Sequence, residues 1–271
     1  RTRVTGGSME ITDRRSNMDR LRRAKFILLF LLLIGLAACS NKARIQEAGN
    51  RINIGTAYLG SGQYNSAMKE LLEAERLTPD DPKVHYLLGI SYHGKGLDEK
   101  AIEQFQRAIA LNPQDSSAHN YLGAIYLDRG RLDEAIASFN LALANVVYDT
   151  PVTTLYNLGR AYYAKGQYDA ALKYYRDAAS REPETILMPL IEKETGRCWL
   201  AKDDPEEAIR HFLKSIELAP SLAESHYWLG MSYRKQNRPD EAAAAFRTAA
   251  KMAPDSEFGR KAQEEMRTMA R

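Results

Sequence analysis

The amino-acid sequence predicts an all-α protein built from six helix-turn-helix units that stack side by side. A glycine recurs about every 34 residues, and further small, aromatic and proline residues keep fixed distances from it. In the copy that contains Gly89, these residues are Tyr92, Ala101, Phe105 and Pro113. The six glycines are Gly55, Gly89, Gly123, Gly159, Gly196 and Gly230.

Each residue type in the pattern has a packing role in a pair of antiparallel helices. Small residues such as Gly89 and Ala101 are expected where the two helices approach most closely, and the aromatics Tyr92 and Phe105 are expected to fill the wider gaps. Proline cannot continue a helix, so Pro113 ends the second helix of its pair. A single pair cannot bury its apolar face, so neighbouring pairs must stack into a superhelix.

This pattern resembles tetratricopeptide repeats, which are units of the same length folded as two antiparallel helices. The resemblance predicts a tetratricopeptide-repeat superhelix over residues 48–256, followed by a C-terminal capping helix over residues 257–271. Two junctions, at residues 145–151 and 184–189, are longer than the others because the glycines on either side are 36 and 37 residues apart. The predicted repeats are 48–81, 82–115, 116–149, 152–185, 189–222 and 223–256.

The residues before the repeats are predicted to be a leader and a tether. Met18 is a natural start position, so residues 1–17 are interpreted as an upstream extension or as cloning-derived residues. Residues 18–38 contain a basic, an apolar and a small-residue part in the order of a signal peptide. The apolar part, residues 26–36, is shorter than the roughly 20 residues that a membrane-spanning helix needs.

The sequence Leu36-Ala37-Ala38-Cys39 resembles a bacterial lipobox. The resemblance implies cleavage before Cys39, which then becomes the first residue and carries covalent lipid such as palmitate. Residues 39–47 would form a polar tether, and the multiple acyl chains would anchor the protein stably. Ser40 replaces the aspartate that commonly retains such proteins in the inner membrane, so we expect lipid anchoring at the bacterial outer membrane, facing the periplasm. The alternative is an ordinary signal peptide with a chance cysteine.

The charge distribution argues against a nucleic-acid partner. The whole chain has 38 basic and 35 acidic residues, but residues 1–38 hold 8 of the basic and 3 of the acidic ones. The remainder therefore has 30 basic and 32 acidic residues, a net charge of −2, which is not the footprint of a nucleic-acid-binding surface. We expect a monomer that binds a protein partner.

The sequence contains no recognisable catalytic or metal-binding motif, so we expect no enzyme activity, no metal and no cofactor other than the lipid on Cys39. His85, His119 and His226 each stand four residues before a repeat glycine, which indicates a shared packing position more than a metal site. Cys198 is interpreted as a small buried residue.

The expected working surface is the concave groove that the first helices of tetratricopeptide repeats line. The resemblance implies that positions three before, one after and four after each repeat glycine face this groove. Residues at these positions are mostly apolar in repeats 1–3, whereas repeats 4–6 add aromatics interleaved with cations. We expect a peptide to bury apolar side chains in the first half and to pair acidic groups with the cations in the second.

An alternative for the groove tyrosines is that some of them only pack between neighbouring helices. The predicted groove residues are Ile52, Tyr86, Ile90, His93, Asn120, Leu127, Tyr156, Arg160, Tyr163, Lys193, Arg197, Tyr227 and Arg234.

A further resemblance narrows the family. Residues Asn120-Tyr121-Leu122-Gly123, the junction Tyr148-Asp149-Thr150-Pro151 and Tyr156-Asn157-Leu158-Gly159 resemble the type IV pilus pilotins of the PilF, PilW and Tgl kind, although Val146-Val147 departs from their usual proline-containing junction. Pilotins are outer-membrane lipoproteins with six such repeats that escort secretin subunits and promote their assembly. The resemblance therefore implies a secretin-assembly factor. The alternative is a lipoprotein adaptor that docks cell-wall hydrolases or outer-membrane assembly machinery.

Overall fold

The structure, a computed structural model, describes residues 41–269. This part of the chain forms thirteen helices and no strand, which confirms the predicted all-α fold class. The predictions for the leader, for Cys39 and for the last two residues lie outside the described residues. None of the helices between residues 41 and 269 has the length and apolarity that crossing a membrane would require.

The chain divides into two compact units, with the boundary between Leu97 and Asp98. The described part of the first unit contains α1 over residues 41–60, α2 over Tyr64–Leu77 and α3 over Pro82–Gly94. Its core is formed by buried side chains of these helices, among them Leu71, Val84 and Leu88.

Residues 41–47, which were predicted to be a tether, are helical and belong to α1. Two contacts explain why the helix extends this far. Arg44 donates a hydrogen bond of 2.9 Å from Nη2 to the carbonyl oxygen of Leu77 at the end of α2. Arg51 contacts Glu47 one turn earlier and Glu70 on α2, at 2.9 and 2.7 Å. The polar segment is therefore held against the first repeat.

The described part of the second unit contains ten helices, each of which packs against the next. The last helix, α13, packs against both α11 and α12 and buries Gly259 and Ala262, as expected of a cap. The helices are α4 Asp98–Leu111, α5 Ser116–Asp128, α6 Leu132–Ala144, α7 Pro151–Ala164, α8 Tyr168–Arg181, α9 Met188–Ala201, α10 Pro205–Leu218, α11 Ala223–Lys235, α12 Pro239–Met252 and α13 Glu257–Met269.

The repeat glycines of the second unit make room for the aromatic rings sixteen residues later. A methyl group at Gly159 would lie 2.3 Å from Cε1 of Tyr175, and one at Gly123 would lie 2.7 Å from the ring of Phe139. Both distances are too short for carbon atoms, so only glycine lets the rings pack here. The expectation that the aromatic residues sixteen positions after the glycine fill the wider gaps is therefore corrected, because ring and glycine together form the close approach.

The turns within the helix pairs need a left-handed residue seven positions after the repeat glycine. Gly166 occupies this position with a φ of 73°, and Asn237 does so with a φ of 58°. Glycine adopts this conformation without steric cost, and asparagine tolerates it better than most other residues. The same turn is therefore built in repeats with and without a glycine.

Candidate functional site

The first helices of repeats 3–6 lie next to one another in the second unit. Contacts join α5 to α7, α7 to α9 and α9 to α11, so these four helices line one side of the unit. We call this side the A-helix face and define it by the predicted groove residues that keep accessible surface on it. These residues are Asn120, Tyr156, Arg160, Tyr163, Arg197 and Arg234.

The centre of the A-helix face is the guanidinium group of Arg197 on α9. Its carbon lies 4.6 Å from the ring centre of Tyr163 on α7 and 5.1 Å from that of Trp228 on α11. Nη1 also donates a hydrogen bond of 2.7 Å to Oε2 of Glu194, one turn earlier. Contacts from three helices thus hold the guanidinium in one orientation, which is the preorganisation that binding sites need.

A chain of buried charges continues from Arg197 to α11. Nζ of Lys193 lies 3.1 Å from Glu194 and 2.6 Å from Oε2 of Glu224. The other oxygen of Glu224 accepts a hydrogen bond of 3.3 Å from the indole nitrogen of Trp228. Lys193 and Glu194 are each less than a tenth exposed, and buried charges persist only when they are paired in this way.

Burial dominates the electrostatics of the tyrosines around Arg197. It raises the pKa values of Tyr156 and Tyr163 above the ordinary value, with Arg197 opposing this shift. Burial also raises the pKa of Tyr175, and Glu194 adds to the shift. These side chains therefore remain neutral and can donate hydrogen bonds.

Within residues 41–269, the buried hydroxyl of Tyr175 and the buried Nε of Arg197 have no hydrogen-bond partner.

The other predicted groove cations are paired with carboxylates of the chain. Arg160 lies 3.6 Å from Asp128, and its Nη1 lies 3.4 Å from Oδ1 of Asn157. Arg234 pairs with Glu265 on α13. The sequence predicts that these cations pair with acidic groups of a bound peptide, but in the structure they already pair with carboxylates of the chain itself. Any acidic ligand group would have to share or displace an existing partner.

Sequence reasoning missed the acidic partners, although their spacing carried a signal. Glu224 follows Lys193 by 31 residues, and Glu265 follows Arg234 by the same number. This spacing is about one repeat minus one helical turn, so it brings the acidic residue of the next repeat beside the cation. Glu194 and Trp228 were also missed, because both stand two residues before a repeat glycine, outside the three positions assigned to the groove.

Three predicted groove residues of the second unit are buried. Leu127 is 9% exposed and Tyr227 is 6% exposed, with Tyr227 packed among Trp228, Phe246 and Phe258. Lys193, the third, is enclosed by its carboxylates. For Tyr227 the alternative of packing between helices therefore describes the structure better. Asn120 accepts a hydrogen bond of 2.9 Å from Thr154 on α7.

The predicted groove residues of the first unit are mostly part of its packing. Ile52 is 6% exposed and belongs to the core with Leu71 and Leu88, so it offers a partner almost no surface. Tyr86 and Ile90 are half-buried and pack against the same core. His93 is half-buried on α3.

The histidines shared by three repeats have a structural role. Nε2 of His85, His119 and His226 lies 2.8, 3.0 and 3.0 Å from the carbonyl oxygen of the proline six residues earlier. Each ring thus ties the start of one repeat to the end of the previous one.

No cluster of metal-ligating side chains occurs among the described residues. Burial raises the pKa of the Cys198 thiol to about 12, so the thiol stays protonated.

Family models settle the classification of the repeats. Models described as "Tetratricopeptide repeat" match residues 114–181, 156–223 and 200–257, and a model described as "TPR repeat" matches residues 55–96 and 95–128. The chain belongs to the tetratricopeptide-repeat proteins. Proteins of this family are in general non-catalytic interaction scaffolds, and the repeats make the chain a protein-binding scaffold.

Solved structures share the fold of this tetratricopeptide-repeat protein. PilW, described as a widely conserved type IV pilus biogenesis factor, matches with a TM-score of 0.72 and 21% identity over 79% of this chain and 97% of PilW. PilF of Pseudomonas aeruginosa matches with a TM-score of 0.70 and 18% identity over 82% of this chain and 99% of PilF. YrrB, described as having an unusual peptide-binding site, matches with a TM-score of 0.56 and 20% identity over 72% and 97%. A search of curated proteins gave no match.

Proposed function

We propose that the chain is a lipid-anchored pilotin, a monomer that binds secretin subunits through its A-helix face. In this proposal the lipid on Cys39 holds the protein at the outer membrane, facing the periplasm, while the repeats escort the secretin and promote its assembly for type IV pilus biogenesis. The lipobox-like sequence before Cys39 and the Tyr148–Pro151 junction support the proposal. The fold shared with PilF and PilW is consistent with it.

The single observation that carries the proposal is the fixed guanidinium of Arg197 between Tyr163 and Trp228. Aromatic and arginine side chains at the centre of a face are the usual anchors of protein interfaces. Here they are held by neighbouring helices before any partner arrives, which lowers the entropy lost on binding. A catalytic role would need a nucleophile beside a base, whereas the charged groups of this face pair with each other.

The charge pairing also indicates how a partner would bind. Because Lys193 and Glu194 neutralise their neighbours, the A-helix face offers mainly ring faces and hydrogen-bond donors to a partner. Arg160 and Arg234 are more accessible, with side chains 40% and 43% exposed. We therefore expect a secretin segment whose apolar side chains contact Tyr156 and Tyr163, with an acidic residue near Arg160.

The proposal is tested by deleting the gene in its source organism and measuring secretin multimers in outer-membrane fractions. Multimers should fall on deletion and return with the wild-type gene. The Cys39→Ser variant should restore the protein but not its outer-membrane position, and the Tyr156→Ala/Tyr163→Ala variant should restore neither multimers nor pili. Arg181→Gln, an exposed change at the end of α8, serves as the matched control and should restore both.

Normal multimer levels in the deletion strain would refute the pilotin proposal. If such a strain instead showed altered cell-wall turnover or septation, the adaptor alternative would replace it. Immunoblots of each variant are needed, because loss of the protein itself would mimic loss of binding.

A further inference from the structure

A cavity of about 310 Å³ lies where α8, α9 and α10 meet. Its wall is largely apolar and includes Leu172, Ile191 and Trp199. Arg176 on α8 and Arg210 on α10 also line it, together with Glu192 on α9. A cavity of this size with an apolar wall and a few converging polar groups has the general character of a binding site.

Glu192 shows that repeat 5 departs from its neighbours at this cavity. It occupies the position four residues before the repeat glycine, where repeats 3 and 6 have His119 and His226. The carboxylate turns to α10 and lies 2.6 Å from Nδ1 of His211 and 2.6 Å from Nζ of Lys214. Its charge is therefore satisfied inside the protein, although its side chain is only 8% exposed.

An equivalent cavity between α4, α5 and α6 provides an internal comparison. It has a volume of about 390 Å³, and Tyr126 stands at the position of Trp199. At the positions of Arg176 and Arg210, however, it has the uncharged residues Gln106 and Ala137. The two cations are thus additions to a groove that the repeat forms without them.

The arginines leave a positive charge at the rim of the cavity. Arg176 is exposed, and its guanidinium has no carboxylate partner within residues 41–269. Among the described residues Arg210 pairs only with Glu207, one turn earlier, and its side chain remains 70% exposed. Since Glu192 pairs with Lys214 at 2.6 Å and contacts His211, its carboxylate does not balance the charges of Arg176 and Arg210. Guanidinium groups bind carboxylates in a defined, often bidentate geometry.

We propose that this cavity is a second protein-docking site, which takes a bulky apolar side chain of a partner helix while an acidic residue one turn away pairs with Arg176 and Arg210. An amphipathic helix presents residues three and four positions apart on one face, so it supplies both groups at once. The site is lined by residues of α8, α9 and α10 that do not include Arg197, and it does not depend on the pilotin proposal.

The chain offers a direct reporter for the test, because its two tryptophans divide between the sites. Trp199 lines the cavity, and Trp228 contacts Arg197 on the A-helix face. The full chain, purified in detergent and labelled with 5-fluorotryptophan, gives one fluorine NMR signal for each. The signals are assigned with Trp199→Phe and Trp228→Phe variants.

The probes are short helical peptides of otherwise identical alanine-rich sequence, added to about 5 mM to reach the range of weak binding. One has a leucine with a glutamate four residues later, and its controls replace the glutamate by glutamine or lysine, or the leucine by alanine. We expect the Leu/Glu peptide to shift the Trp199 signal and leave the Trp228 signal unchanged. The lysine peptide should bind roughly fivefold more weakly or worse, because the exposed charge pairs are lost and replaced by repulsion.

The variant Arg176→Gln/Arg210→Ala copies the equivalent cavity and should lower affinity for the glutamate peptide while leaving the glutamine peptide unaffected. Arg181→Gln is the matched surface control and should behave like the wild type. Equal binding of the glutamate and lysine peptides would overturn the proposal, as would an unmoved Trp199 signal with every peptide. A shift confined to Trp228 would assign the peptide to the A-helix face and equally overturn it.

Discussion

Arg197 stacks on Tyr163, with its guanidinium carbon 4.6 Å from the centre of the ring, and so joins the first helices of two consecutive repeats. Glu194 accepts a hydrogen bond of 2.7 Å from Nη1 of the same guanidinium. The arrangement couples the stability of the fold to the shape of the A-helix face, because the same contacts hold α7, α9 and α11 in place.

Replacing Arg197 by glutamine should destabilise the protein by about 2–4 kcal/mol, because Glu194 is 6% exposed and would lose one of its two cations. Urea unfolding of Arg197→Gln, Glu194→Gln and the double variant measures the coupling. We expect the double variant to be less destabilised than the sum of the single ones by about 1 kcal/mol or more. Additive effects would show that the two side chains do not depend on each other.

Replacing Gly159 by alanine should destabilise the protein by about 1–3 kcal/mol, because the added methyl group would meet the ring of Tyr175 at 2.3 Å. Adding Tyr175→Leu should recover only a small part of the loss, because a methyl group at Gly55, which faces Leu71 in repeat 1, would still lie 2.8 Å from Cγ of that leucine. The matched control is Gly49→Ala in α1, where nothing lies within 4 Å of the new carbon. That change should stabilise by up to about 1 kcal/mol, as alanine favours helices. Thermal unfolding that ranked the two alanine variants in the opposite order would contradict the packing described.

Glu192 should make the stability of the protein depend on pH in the acidic range. Burial alone would raise its pKa, but hydrogen bonds from His211 and Lys214 outweigh this and lower the pKa below the ordinary 4.5. A lowered pKa means that the folded state favours the carboxylate, so the stabilisation is fully present above about pH 4.5 and is lost as the pH falls below it.

The corresponding variant is Glu192→Gln, which should cost about 1–3 kcal/mol at pH 7, the usual worth of hydrogen bonds to a charged group. The difference from the wild type should shrink at pH 4, where the unfolded wild type is largely protonated. Urea unfolding of the wild type and of Glu192→Gln at both pH values measures this difference in stability. Both proteins keep Arg176 and Arg210, the arginines that also line this cavity. A difference that grew on acidification would refute the assignment.

Cys198 should resist thiol reagents in the folded protein. Burial raises the pKa of its thiol to about 12, so at pH 8 about one molecule in ten thousand has the reactive thiolate. A Cys39→Ser variant leaves Cys198 as the single thiol, because the chain has two cysteines. Alkylation should be slow in buffer and fast in denaturant. Rapid alkylation of the folded variant would contradict the burial of this residue.

The sequence was sufficient to predict the repeats because their physical cause is local and periodic. Gly159 and Tyr175 recur in each copy as a glycine and a large apolar residue sixteen positions later, and the structure brings such pairs together in repeats 1, 3, 4, 5 and 6. The positions of Tyr163 and Arg197 followed from their offset from the repeat glycine. Their contact with each other did not, since it also depends on how far one repeat is turned relative to the next.

Burial within the face was harder to predict. Tyr156 and Tyr227 occupy the same position in repeats 4 and 6, but Phe258 of the capping helix covers Tyr227, and the next repeat covers Tyr156 only partly. Glu192 and His119 also share a repeat position, but their hydrogen-bond partners differ. Only α10 has a histidine and a lysine at the repeat positions of His211 and Lys214. The first difference arises from the neighbouring helix and the second from side chains on the paired helix of the same repeat, and the repeat pattern specifies neither.

The most direct test of the account is the affinity of the purified full chain for purified secretin subunits, measured by isothermal titration in detergent. We predict that the wild type binds and that Tyr156→Ala/Tyr163→Ala binds about thirtyfold more weakly, a loss of about 2 kcal/mol, with unfolding midpoints checked for both. Arg181→Gln should bind like the wild type. Absence of binding by the wild type, or equal affinity of a folded double variant, would contradict the claim that the A-helix face holds a secretin.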